Sequence, residues 1–411
     1  MDLSLLLAVR LIVLGTTDVP KPTVANATSV PACSTASPPA RVHCLNRQAL
    51  KQESGGDFAA ASRTLEEADR LWRTQPPPPN PLHGIVLSNL GEAYEQMGRW
   101  RDAGDCFQRA MAADENAFGQ GNVRVAYAMV RLASVEAMVG NPGRAQELLA
   151  EAIAVERRAM PDSALELSYA LGFMAMLKVQ KGDLESARNL AAEGIEVSEK
   201  RSPDTPEYAV NLATLGGVYV VAKDPARALP LVNRAIDILE RKLGPEHPRL
   251  APVLMDRAFI YDGEGKFALA ETDALRSVNI LTREAGANAI GTAWAKARLS
   301  GFYLDDGRMD EAEAILPGSV ETQRRFYDRP NWHLAASIAE LAHLRALQSR
   351  IAESAALYRE SLAMFDACAP SGPEAARAMR GYAELLRSHH GSKREISRLI
   401  EKAESVQTTD N

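Results

Sequence analysis

Few residues of this sequence stand at spacings that do covalent or metal chemistry. The four cysteines, Cys33, Cys44, Cys106 and Cys368, form no C-x-x-C pair, which removes local support for a zinc site or a thioredoxin-like redox pair. His389 and His390 are adjacent and would point in different directions on a helix, so a polar helix end before Gly391 is expected rather than a shared metal. GEGKFA from Gly263 fits a relaxed G-x-G-x-x-A fingerprint, but a dinucleotide site needs a strand before it and a helix after it. Gly265-Lys266 is followed by Phe267 and lacks the leading glycine of a phosphate-cradling loop. G-x-S-x-G and H-E-x-x-H do not occur. No catalytic residue, cofactor or metal is therefore assigned. Asp256, Arg298, Glu340 and His343 form the remaining titratable group. They could meet only if segments about 42 residues apart lie side by side.

Such segments exist, because the sequence repeats. From Gly98, steps of 42 reach Gly140 and Gly182, a step of 41 reaches Lys223, and further steps of 42 reach Gly265, Gly307, Ser349 and Gly391. One step back reaches Gly56. Five residues after these positions stand Ala61, Ala103, Ala145, Ala187, Ala228, Ala270 and Ala312, with Ser354 and Ile396 departing. Four residues before them recur Tyr94, Tyr219, Tyr261 and Tyr303. Within one unit, Leu87, Leu90, Ala93, Tyr94 and Met97 form an apolar stripe at helical spacing, and Ala103, Phe107, Ala110 and Met111 form a second. Between them Gly98 supplies the left-handed residue that ends a helix. Each unit is thus a helical hairpin, helix A then helix B. The small residue after the turn, and Gly91 and Gly216 on helix A, let the two helices approach closely. A lone hairpin cannot cover its stripe, whereas stacked neighbours can.

Composition agrees. Hydrophobic residues make up 46% and aromatics only 6%, which favours packed helices over sheets. The net charge of -6 carries no basic surplus, so nucleic acid is not an expected partner. Leu3 to Gly15 is too short for a membrane span of about 20 residues but suits a signal-peptide core, with Ala25-Asn26-Ala27 as cleavage pattern. Asp2, Arg10 and the remoteness of that pattern count against it, and a mis-chosen start or a frayed helix is the alternative. Export, periplasmic or secreted, is favoured over the cytoplasm, with no integral membrane span in the mature chain. In an exported chain Cys33 and Cys44 could pair; separate free thiols are an equal expectation. The expected organisation is a candidate signal peptide over 1–27, a flexible Pro/Thr/Ser/Ala-rich linker over 28–43, the repeat array over 44–404 and a disordered tail over 405–411.

The unit resembles the tetratricopeptide repeat, lengthened between helix B and the next helix A. There LGPEHPRLA (Leu243 to Ala251), SPDTPEYA (Ser202 to Ala209), PPPPNPLHG (Pro76 to Gly84) and DRPNWHLA (Asp328 to Ala335) resemble linkers of the kinesin light chain group of 42-residue repeats. Pro81, Pro206 and Pro248 fall just before helix A, and Pro76–Pro79 reads as a stiff connector. The resemblance implies an all-α, right-handed α-α superhelix (solenoid) of about 8-9 helix-turn-helix units, with the A helices lining a concave groove. Positions two, five and six before the tyrosine would face that groove. They include Asn89, Glu92, Arg131, Phe173, Met176, Met255, Asp256, Phe259 and Arg298, a low-polarity centre flanked by charges. The peptide-holding asparagine common in the kinesin light chain group is matched by Asn89 alone; Arg131, Phe173, Thr214, Asp256, Arg298 and Glu340 replace it. The expected function is a scaffold that binds an unidentified protein or peptide. A peptide-sensing module acting on a separate output protein is the alternative, and an enzyme is a third, lesser reading.

Overall fold

The computed structural model describes Cys33 and residues 38–405, apart from 55–56, 75–80, 162–163, 202, 328 and 369–371. The candidate signal peptide, the tetraproline and residues 406–411 lie outside the described residues. Among the described residues there are helices only, eighteen of them, in nine hairpins. In order they are α1 Pro38–Ser54 and α2 Phe58–Thr74; α3 Leu82–Gln96 and α4 Trp100–Phe118; α5 Val123–Met138 and α6 Pro142–Arg158; α7 Ala164–Gln180 and α8 Leu184–Arg201; α9 Pro206–Val221 and α10 Pro225–Leu243. Then come α11 Leu250–Gly263 and α12 Phe267–Ala285; α13 Ile290–Asp305 and α14 Met309–Phe326; α15 Trp332–Leu347 and α16 Ile351–Cys368; α17 Pro373–Ser388 and α18 Lys393–Ser405. GEGKFA lies across the α11–α12 turn, so the strand that a dinucleotide site requires is not there.

The helices fall into two compact units that divide inside α7, between Ala170 and Leu171. Within each unit the rule is the same: an A helix packs on its own B helix, and that B helix on the next A helix. This is an all-α helical-repeat superhelix fold. A helices are apolar nearly all round and are buried on most sides; Val125 through Val135 in α5 are buried without interruption. B helices bury one stripe, as Ala228, Val232, Ala235, Ile236 and Leu239 do in α10.

The turn register holds through seven of the described turns; Gly56 lies outside the described residues. Gly98 (φ 70°), Gly140 (90°), Gly182 (80°), Gly265 (71°) and Gly307 (75°) take the left-handed backbone, and so do Lys223 (56°) and Ser349 (59°). The last turn differs. His390 (φ 56°), not Gly391, takes that conformation, so the register shortens by one there. The alanines five residues on are fully buried, from Ala61 to Ala312. A Cβ on Gly91 would stand 2.7 Å from the Phe107 ring, and one on Gly216 2.7 Å from Val232 Cγ2, which is why glycine is needed at those crossings.

One expectation about the N-terminal part is revised, and one left open is decided. Helix α1 begins at Pro38, inside the 28–43 segment expected as linker, because Val42, Cys44 and Leu45 bury against the first hairpin. Cys33 and Cys44 are joined in a disulfide, with their Cα atoms 5.6 Å apart. Among the described residues no helix is long and apolar enough to cross a membrane.

Candidate functional site

The register puts the nine expected groove residues on A helices, but the structure covers them. Phe173, Met255 and Phe259 are 2% exposed, Met176 3%, Arg298 1% and Asp256 not at all. Asn89 and Arg131 are equally buried, and only Glu92 is half-buried. The open apolar centre expected there is therefore corrected: these side chains fill space between A helices. Phe259 meets Phe302 of α13 edge-on at 5.1 Å, and the Arg298 guanidinium lies 5.4 Å from the Phe259 ring.

The polar groups of that layer are tied to one another. In the N-terminal unit, Asn89 Nδ2 donates to Asn46 Oδ1 at 2.8 Å, and Tyr127 donates to Glu92 at 2.5 Å. Arg131 pairs with Glu95 inside the protein. Burial acts to lower the Arg131 pKa, but the carboxylates of Glu95 and Glu92 raise it, so its charge is secure. In the C-terminal unit, Glu340 Oε1 receives Arg298 Nη2 at 3.5 Å and Arg377 Nη1 at 3.0 Å. Burial alone would push Glu340 up, yet Arg377, Arg298 and His343 hold it below the usual carboxylate value. The suspected catalytic group is thus an ion-pair ladder. Arg298 and Glu340 neutralise each other across neighbouring A helices.

The A-helix layer opens at the last two hairpins. A cleft of about 230 Å³ lies between α15, α16 and α17. Glu340 and His343 line it from α15, Tyr358 from α16, and Arg377, Arg380, Gly381 and Glu384 from α17. Glu340 and His343 stand five and two residues before the tyrosine position of their hairpin. With His390 taken as the last turn, Arg380, Gly381 and Glu384 stand six, five and two residues before theirs. Sequence reasoning missed these three because its inner-face positions stopped at the eighth hairpin, and a count from Gly391 would have reached Gly381 but neither Arg380 nor Glu384.

Tyr358 is 3% exposed, and its hydroxyl has no hydrogen-bond partner among the described residues. Burial and the nearby Glu340 raise its pKa, so the hydroxyl keeps its proton and remains a donor. A Cβ on Gly381 would stand 2.6 Å from that hydroxyl, so glycine is what allows α17 to lie over the ring. Arg380 and Glu384 are exposed at the rim, and neither has an ion-pair partner among the described residues. Among the described residues no group of three or more His, Cys, Asp or Glu could hold a metal ion.

Two family models, each described as tetratricopeptide repeat, match residues 82–158 and 212–249. No curated protein matches the chain. A solved Rap protein complexed with Competence and Sporulation Factor is similar over 90% of this chain and 98% of its own, with 12% identity and a TM-score of 0.63. The apo form of the quorum sensor NprR from B. thuringiensis is similar over 71% of this chain and 78% of its own, with 13% identity and a TM-score of 0.56. Podosopora anserina putative kinesin light chain nearly identical TPR-like repeats match over 50% of this chain and 98% of theirs, with 16% identity and a TM-score of 0.43. At these identities the likeness to solved structures is one of fold.

Proposed function

From the premise that this chain is a tetratricopeptide-repeat protein, we propose that it binds a polypeptide partner on the A-helix face and performs no chemistry of its own. The fold is that of a protein-interaction scaffold. The observation that carries the finer reading is where the A-helix layer opens: the one cleft described above lies at positions that the repeat register assigns to the inner face. The buried Arg298–Glu340–Arg377 ladder supports it, since charges already satisfied within the protein hold a surface in shape rather than react.

Photo-crosslinking tests this. A benzoylphenylalanine would replace Glu92, His343 or Glu384 on A helices, or Glu151, Arg234 or Glu321 on B helices. Partners trapped at the first set and absent from the second are the expected result. Trapping confined to the second set would refute the A-face assignment.

A peptide-responsive regulator is the second reading, favoured by the similarity to a Rap protein complexed with Competence and Sporulation Factor. Small-angle scattering during titration with short peptides should then show a change in radius of gyration. A radius unchanged by any peptide that binds would dispose of this reading.

A further inference from the structure

The cleft at the last two hairpins has a composition that a polypeptide face does not require. Charges inside a protein are normally paired, and Glu340 obeys this, with two guanidiniums around it. At the exposed rim Arg380 and Glu384 lie one helical turn apart on α17, opposite in sign, and each is without an ion-pair partner among the described residues. Beneath them Tyr358, a mostly buried side chain, lines the cleft, and its hydroxyl has no hydrogen-bond partner among the described residues. One site therefore offers a cation, an anion and a neutral donor.

The volume of about 230 Å³ suits a small ligand, below the usual range for drug-sized pockets. A purely anionic ligand would meet Glu340, Glu374 and Glu384, and a purely cationic one would meet Arg377 and Arg380. A dipolar ligand satisfies both signs.

We propose that this cleft binds a free α-amino acid, its carboxylate taken by Arg380 with the Tyr358 hydroxyl and its ammonium by Glu384. The site is the same opening that carries the polypeptide reading, and the inference rests on that reading: it would give the scaffold a small-molecule effector there.

The test is calorimetric titration of the full chain with each of the twenty free amino acids, and with the α-amide and N-acetyl form of any that binds. Saturable binding of at least one amino acid is expected. It should weaken tenfold or more for the amide and for the N-acetyl form, in Arg380→Gln and in Glu384→Gln, and measurably in Tyr358→Phe. Arg380 and Glu384 are exposed, so circular dichroism of those two variants should match the parent. No binding by any of the twenty would overturn the proposal. So would binding that survives both Arg380→Gln and Glu384→Gln, or binding that tolerates amidation and acetylation alike. Failure of the titration leaves a cross-link at Glu92 unaffected, since Glu92 does not line this cleft, and so the two readings fail separately.

Discussion

Asp69 shows how much one buried charge can organise. It is 2% exposed and receives Arg109 at 2.6 Å, Arg73 at 2.7 Å and His83 at 3.1 Å, binding α2 to α3 and α4. Burial pushes its carboxyl up, but the hydrogen bonds from His83 and Arg109 win and hold it at about 2. The unfolded carboxyl titrates near 3.8, so the stabilisation is complete above that pH and is lost as pH falls from about 4 to about 2. Asp69→Asn should cost about 3 kcal/mol at pH 7 in urea unfolding, and the difference should shrink across that acid window. His333 works at milder pH. It is 2% exposed, lies 4.8 Å from Trp294 and is pressed against Trp332, and burial holds its pKa well below 6.5. The unfolded chain takes up that proton and the native one does not. Stability should therefore fall as pH drops below about 6.5, by up to about 1.4 kcal/mol per pH unit. His333→Phe should flatten that slope; an unchanged slope would refute the assignment. Glu156 has the opposite sign. Burial, then Glu166, raises it to about 8, so its contribution is present at low pH and is lost as pH rises from about 4.5 to about 8. Glu156→Gln should melt higher than the parent at pH 8.5 and not at pH 5.

At the scale of the element, the hairpin turn is a device of three parts. A left-handed residue closes helix A, the alanine five positions on lets helix B approach, and a cation after the turn covers the tyrosine. Arg99 lies 4.1 Å from the Tyr94 ring centre, Arg308 4.5 Å from that of Tyr303 and Arg227 4.6 Å from that of Tyr219. The tyrosine register was visible in the sequence; its partner was not, because the cation stands one residue after the turn in two cases and four in the third. Three turns use a residue with a Cβ where glycine is preferred. Lys223→Gly, Ser349→Gly and His390→Gly should each raise stability by about 0.5–1 kcal/mol, read as a higher midpoint in denaturant. Gly216→Ala should lower it by about 1–3 kcal/mol, since its Cβ would meet Val232.

At the scale of the whole molecule, repeats borrow their hydrophobic cover from neighbours, so the ends matter most. Helices α17 and α18 close the C-terminal unit. Leu399 and Ala403 are buried beneath a charged outer face, and Lys402 pairs with Asp366 of α16 at 2.5 Å. A chain ending at Cys368 would uncover the side of the eighth hairpin that holds Tyr358 and Phe365. It should melt several degrees lower and self-associate in sedimentation, whereas the intact chain should not. Equal melting of the two would mean that the last hairpin does not act as a cap.

The sequence alone determined the hairpin, its repetition in about 8-9 units and the described turns up to Ser349, because helical periodicity and a left-handed turn residue are local properties that repeat at a fixed interval. It also named Glu340 and His343 as inner-face residues. What only the tertiary structure decided was exposure. Whether Phe173, Met255, Phe259 or Arg298 faces solvent depends on how closely one A helix approaches the next, and that distance is set by side chains about 42 residues away. The cleft could not be read from periodicity for the same reason. It exists where the A-helix layer opens at the last hairpins, and the one-residue shift to His390 decides which side chains of α17 face it.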